Sequence, residues 1–258
     1  MQVIDFLTQR IIINLWYFDT KENEGCIQMA YKHTATSDGV YNQLKEQILH
    51  LELPPGALIS EIETAEKYHI SRTPVRDAFK RLEREGLLEI RPHIGTFISL
   101  IDLNAVSDVL YIREVLEYSV LSDLSLVYDK SQDLRIRLIL KHQKELLDSD
   151  LPIDELSRAF VLSDNDFHTA LFDAAGKKNI IEFLYSYNSQ YERFRTFINY
   201  NGKEDLQKLY DCHVNIWNCI TNKDLAGLKD HINHHLYDGF SASSDIIHRS
   251  PEYFKEIR

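Results

Sequence analysis

The stretch from Ser71 to Ile98 constrains this chain most. Val75, Phe79 and Leu82 recur at helical spacing and have to bury one face, while Arg72, Arg76 and Lys80 climb the other in steps of four. Ser71 is a good N-cap, Pro74 falls in the first turn where the amide donors are free anyway, and Gly86 is placed to stop the helix. A hairpin follows, with strands predicted at Leu88 to Ile90 and Thr96 to Ile98 about the turn Pro92-His93-Ile94-Gly95. Basic helix, glycine stop and hairpin in this order are how a winged helix-turn-helix presents a recognition helix and a wing to DNA. Taken alone, the basic stripe fits a solvated helix face equally well.

The residues upstream complete such a head. Val40 to Leu51 reads as a helix with Val40, Leu44, Ile48 and Leu51 on one face, ended by Pro54-Pro55-Gly56. Ser60-Glu61-Ile62-Glu63 opens a second helix as a capping box running to about Tyr68, and His69-Ile70 makes the turn into the basic helix.

Charge argues at first against a nucleic-acid partner, because the net charge is -11. It is unevenly spread. From Gly39 to Leu100 eight Lys/Arg stand against nine Asp/Glu, so -10 of the total lies elsewhere, and Arg72 to Glu85 holds five basic and three acidic residues. With 258 residues the chain can hold two ordinary domains. Cys26, Cys212 and Cys219 are an odd count without a framework spacing, which predicts reduced thiols and a cytoplasmic protein. Residues 1–38 differ in character from the rest. Their apolar run, Phe6 to Phe18, is broken by Arg10 and Asn14, is too short to span a bilayer and lacks the marks of a signal peptide. The compositional break before Tyr31 suggests that Met29 is the natural start and that residues 1–28 are not native.

At this point a resemblance becomes specific. Leu53-Pro54-Pro55-Gly56, Ser60-Glu61, Ser71-Arg72-Thr73-Pro74-Val75-Arg76, Arg81-Leu82-Glu83 and Gly86-Leu87-Leu88, at these intervals, resemble the DNA-binding domain of the GntR family of bacterial transcription regulators over residues 39–98. The resemblance implies that Arg72, Thr73 and Arg76 contact DNA and that His93 and Gly95 reach the minor groove. Relatives often carry a further DNA-contacting Arg ten residues before Arg72; here that position is Ile62. Arginine matches guanine O6 and N7 with two donors, contributing roughly 1 to 3 kcal/mol of discrimination, which suits Arg72 and Arg76. Lys80, Arg81 and Arg84 lie further along and fit phosphate or solvent.

Beyond a short connection at Ser99 to Asp102 the pattern is helical, with helices predicted at about 103–128, 132–149, 154–175, 178–199, 204–221 and 224–244. Asp164 and His168 are four apart on a face shared with Phe160, Phe167 and Leu171, so they point inward; His213 shares a face with Ile216, Trp217 and Ile220, and His235 with Leu228 and His231. Buried imidazoles and carboxylates need partners, and a shared divalent cation would satisfy all four. By spacing alone, a hydrogen-bonded Asp-His pair and a solvated His-rich tail (His231 to His235) explain them as well. The region from about 103 to 240 resembles the ligand-binding domain of the metal-holding branch of the FadR subfamily. The carriers are Asp164, Phe167-His168, Ala174-Ala175-Gly176, His213 and His235. That resemblance implies a cation on Asp164, His168, His213 and His235, with open positions that a carboxylate effector completes. Three His and one carboxylate suit zinc, nickel, manganese or iron. Arg113, on the inward face with Val106, Val109, Leu110 and Val120, is the natural partner of the anion; an internal ion pair with Glu117 is its alternative role.

The expected protein is thus mainly α, with a winged helix-turn-helix at residues 39–100, an all-helical effector domain at 101–245 and a tail at 246–258, behind the atypical 1–38. It is expected to act as a homodimer on double-stranded operator DNA, away from membranes, as a repressor controlled by a small organic acid. A regulator that senses the metal itself is one alternative. A metal-dependent hydrolase is another, although no phosphate loop, nucleophile elbow or paired-Cys motif accompanies the candidate ligands.

Overall fold

A computed structural model describes residues 36–130, 133–199 and 203–255. The expectation for residues 1–28 lies outside them. The described residues divide into two compact units, 36–44 with Ser60–Arg81, and Lys45–Ile59 with the described residues from Leu82 on. The division falls within two helices, α1 (Ser37–Leu49) and α3 (Arg72–Arg84).

In the first unit, α2 (Glu61–Lys67) begins where expected: Ser60 is its N-cap, and the side chain accepts from the amides of Ile62 and Glu63. The chain turns through His69, at φ 52, into α3. Val40, Tyr41, Leu44, Ala65, Tyr68, Val75, Ala78 and Phe79 are buried. The guanidinium of Arg81 lies over the Tyr41 ring, 3.8 Å from its centroid, and pairs with Asp38.

In the second unit α3 ends in a Schellman turn: Gly86, at φ +70, donates to the Glu83 carbonyl and Leu87 to that of Leu82. The hairpin β2 (Leu88–Arg91) and β3 (Gly95–Ile98) follows, and β1 (Leu58–Ile59) joins it to give the antiparallel order β1-β3-β2. The two-residue β1 was not anticipated, because no alternation is legible over so short a run. In the hairpin turn Pro92 precedes His93 at φ 63, and the Ile94 amide donates to Arg91, the residue pattern of a type II turn.

The bundle comprises α4 (Leu103–Val127), α5 (Asp133–Asp148), α6 (Ile153–Ala174), α7 (Lys178–Ser186), α8 (Ser189–Asn199), α9 (Lys203–Asn222), α10 (Leu225–Ala242) and the short α11 (Ser244–Arg249). Asp102 caps α4 by accepting from the amides of Asn104 and Ala105. Its core runs from Leu103, Val106 and Leu110 through Phe167, Leu171, Phe172 and Phe194 to Ile216, Trp217, Leu228 and Ile232.

Two expectations are corrected. The helix expected over 178–199 is two helices, broken at Tyr187-Asn188; Asn188 is buried and its carbonyl accepts from Glu192 as the first bond of α8. Asn188 and Ser189 are poor helix-interior residues, which favours a break at this point, although the Asn188 side-chain oxygen makes no capping bond among the described residues. The expected tail, in turn, forms α11 and a 3-10 turn and pairs with the connection before α4. Ile101 donates to the Tyr253 carbonyl and Lys255 to that of Ile101, while Phe254 is buried. Among the described residues no helix is long and apolar enough to cross a membrane.

Candidate functional site

The apolar face of α6 is interrupted one turn apart by Asp164 and His168, both buried; α9 brings His213 and α10 brings His235, also buried, to the same point. One ligand atom from each of the four lies within 4.8 Å of the others. The Nε2 atoms of His213, His235 and His168 are 3.2, 3.9 and 4.0 Å from Asp164 Oδ1, and those of His168 and His235 are 2.9 Å apart. Three imidazoles therefore converge on one carboxylate oxygen.

An outer group aims one of the rings. Gln143 donates its amide to the Ser163 carbonyl at 3.1 Å, which turns its Oε1 toward His213 Nδ1 at 2.9 Å. That contact calls for a proton on Nδ1 and leaves the Nε2 lone pair facing the centre. Glu117 Oε2 stands 3.1 Å from His168 Nδ1, close to it but without an aligned hydrogen bond. His213 rests between Phe160 and Phe167, its ring centroid 4.4 Å from that of Phe167. Burial lowers the pKa of His213, with Asp164 opposing, and burial with the neighbouring imidazoles pushes His235 well below the usual histidine range. Both are thus neutral near pH 7, the ligating form.

Buried as it is, His213 Nε2 has no aligned hydrogen-bond partner among the described residues, although Asp164 Oδ1 is close. An orphaned lone pair beside two more imidazole nitrogens and a carboxylate is a donor set that fits a divalent first-row cation.

Two ion pairs flank the centre. Arg113, 2 % exposed, donates Nε–H to Glu117 Oε1 at 2.7 Å, so the internal pair is formed. Burial opposes the charge of both groups, but each holds the other ionised, Glu117 well below the carboxylate range and Arg113 further above its ordinary value. On the other side Arg195 of α8 donates to Asp164 Oδ2 and, at 2.8 Å, to Asn165 Oδ1. Burial again opposes the charges; the pairing keeps Arg195 protonated and Asp164 ionised. Both guanidinium groups lie near the Tyr191 ring, at 5.1 and 5.7 Å from its centroid. Sequence reasoning missed Arg195, Gln143 and Tyr191. The available signal was that Tyr191, Arg195 and Ile198 share a helical face.

The remaining expected residues lie elsewhere. Arg72, Thr73 and Arg76, in the first unit, are exposed on α3, where Glu61 Oε2 stands 3.4 Å from Arg72 Nη2 and 3.3 Å from Arg76 Nε. Such exposed pairs are weak and exchange readily for phosphate or base. Ile62 is half-exposed. In the second unit His93 is exposed at the hairpin tip, and Gly95 stands at φ +152, where an added Cβ would come within 2.7 Å of Cδ1 of the exposed Leu58 side chain, which would have to move aside.

Residues 36–98 match the gntR family of bacterial regulatory proteins, and residues 108–238 match the FCD domain. An HTH-type transcriptional regulator in an unstable DNA locus of Streptomyces ambofaciens is 30% identical over 217 residues, covering 83% of this chain and 88% of that protein. The HTH-type transcriptional repressor RspR of Escherichia coli is 25% identical over 84% of this chain and 92% of its own length. In fold, the chain is similar to the crystal structure of a GntR transcriptional regulator from a Rhodococcus species. The TM-score is 0.61 at 18% identity, over 80% of this chain and 96% of that one. The chain belongs to the gntR family of bacterial regulatory proteins: it is a DNA-binding transcriptional regulator with an FCD domain behind its helix-turn-helix, not an enzyme.

Proposed function

We propose that this regulator is a cytoplasmic homodimeric repressor of the FadR subfamily whose operator affinity is set by a small organic acid bound at a divalent metal, zinc, nickel, manganese or iron, in its helical domain. The observation that carries this reading is the charge balance of the buried centre. Arg113 and Glu117 cancel, Arg195 and Asp164 cancel, and His213 and His235 are held neutral. A dication on Asp164, His168, His213 and His235 brings two uncompensated positive charges into a buried site, which favours an anion as the next ligand. The metal would supply the charge and open coordination positions. Arg113, whose guanidinium gives only its Nε–H to Glu117, would hold the anion's second oxygen from the α4 side.

Repression is supported by the name of the Escherichia coli relative. Homodimerisation follows from operator logic, since one wing and one recognition helix read too few base pairs to bind tightly alone. Arg72, Thr73 and Arg76 would read the major groove, and the His93 to Gly95 wing would reach the minor groove.

Thermal shifts with a panel of mono-, di- and hydroxycarboxylic acids test the effector. An acid should stabilise the metal-loaded chain, lose its effect after EDTA stripping, and lose it in Arg113→Gln. An acid that stabilises the stripped chain equally would overturn the reading, and metal-dependent DNA affinity with no response to any acid would make the metal itself the signal. For the DNA side, Arg76→Ala should weaken binding to a duplex selected by the wild-type protein by roughly ten- to a hundredfold; unchanged affinity would remove Arg76 from the reading head.

A further inference from the structure

Two residues from Arg195 on the same helix, Arg193 is wholly buried and makes a different set of contacts. It donates Nη1–H to Ser99 Oγ at 3.0 Å and Nη2–H to the Ser99 carbonyl; among the described residues its Nε has no hydrogen-bond partner and no carboxylate counters the burial that pushes its pKa down to about 10. A buried cation without an acid is costly. Around it, Gln190 donates to the Gly86 carbonyl at 3.1 Å and accepts from the Asp102 amide at 3.3 Å, and Ser99 donates to the same Gly86 carbonyl at 2.6 Å. One face of α8 thus grips the connection between β3 and α4, while the opposite face carries Arg195 onto a carboxylate of the candidate metal centre.

We infer that α8 is the coupling element of this regulator, with Arg195 sensing occupancy of the centre through Asp164 and Arg193 with Gln190 transmitting it to the Ser99–Asp102 connection. The inference rests on the metal reading above. Its physical content is a shared carboxylate. Without a cation Asp164 gives its full charge to Arg195; a dication held at the centre would draw that charge away and repel the guanidinium, so the hold of Asp164 on α8 would weaken. An eleven-residue helix, about 16 Å long, moves as a rigid piece. A displacement at Arg195 therefore displaces Gln190 and Arg193. These groups clamp the covalent link between the region matched to the gntR family and the region matched to the FCD domain.

Hydrogen exchange on the full chain, stripped with EDTA and reloaded with zinc(II), tests this. In the wild type, zinc should slow exchange in α6 and change exchange at the Asp102 amide, whose acceptor is Gln190, by roughly five- to a hundredfold. In Arg193→Lys, which keeps the charge but cannot span both Ser99 oxygens, and in Arg195→Gln, α6 should still respond to saturating zinc while the Asp102 response is lost. If the wild type responds in α6 but not at Asp102, or if either variant keeps the wild-type response, the coupling role is overturned and the metal site stands. Exchange at Asp102 that is faster in the variants yet shifted by zinc by the same factor marks Arg193 as merely structural and overturns it too. If zinc leaves α6 unchanged, the metal reading fails and the coupling falls with it.

Discussion

At the scale of single residues, the contrast between Arg113 and Gln143 shows how little of a side chain's role is carried by its type. Both lie on inward helix faces; Arg113 neutralises Glu117, whereas Gln143 presents its carbonyl oxygen to His213 because its amide nitrogen is already committed to Ser163. Outer-shell partners of this kind typically tune metal affinity by ten- to a hundredfold. Gln143→Ala should therefore weaken zinc binding by about that factor, as read by competition with a chromogenic chelator, while far-ultraviolet circular dichroism stays that of a helical bundle. Unchanged zinc affinity would mean that the proton on His213 is placed by something else.

At the scale of elements, helix ends do much of the positioning. Gly86 closes α3 at φ +70, and among the described residues beyond its chain neighbours no atom lies within 4 Å of where a Cβ would sit, so Gly86→Ala isolates backbone strain from a clash. A left-handed alanine costs about 1 to 2 kcal/mol, and chemical denaturation should show a loss of that size. The start of α4 carries a pH signature. Burial would raise the Asp102 carboxyl, but the Lys255 ammonium and the capped amides of Ala105 and Asn104 outweigh it and hold the carboxyl below its ordinary value. A depressed folded pKa means stability that is present above the unfolded value, about 3.9, and is lost as pH falls through the folded one. Urea midpoints between pH 5 and 3 should accordingly fall less steeply in Asp102→Asn than in the wild type, and parallel slopes would show that Asp102 contributes nothing to acid sensitivity.

At the scale of the whole molecule, four candidate ligands on three helices, α6, α9 and α10, would make metal binding a property of the folded state. A ligand present at a hundred times its Kd adds about 2.7 kcal/mol to folding. EDTA should therefore lower the melting temperature, zinc should restore it, and His213→Ala should abolish both responses; a melting temperature indifferent to EDTA in a zinc-loaded sample would argue against the centre. Much of this architecture was legible beforehand, because its signals are local: the spacing of Val75, Phe79 and Leu82, the Ser60 cap, the Gly86 stop and the inward pair Asp164 and His168 each depend on residues within a turn or two of one another. The break at Asn188 was masked by apolar periodicity running through it, and the pairing of Ile101 with Phe254 joins segments far apart in sequence. By itself, then, the sequence determined the class of the fold, most of its long helices, and the faces on which Asp164, His168, His213 and His235 lie. Only the tertiary structure decided that Arg113 pairs with Glu117, that Arg195 takes the outer oxygen of Asp164, and that Arg193 clamps Ser99. Periodicity states which way a side chain faces, whereas its partner is chosen by the packing of helices that no local spacing encodes.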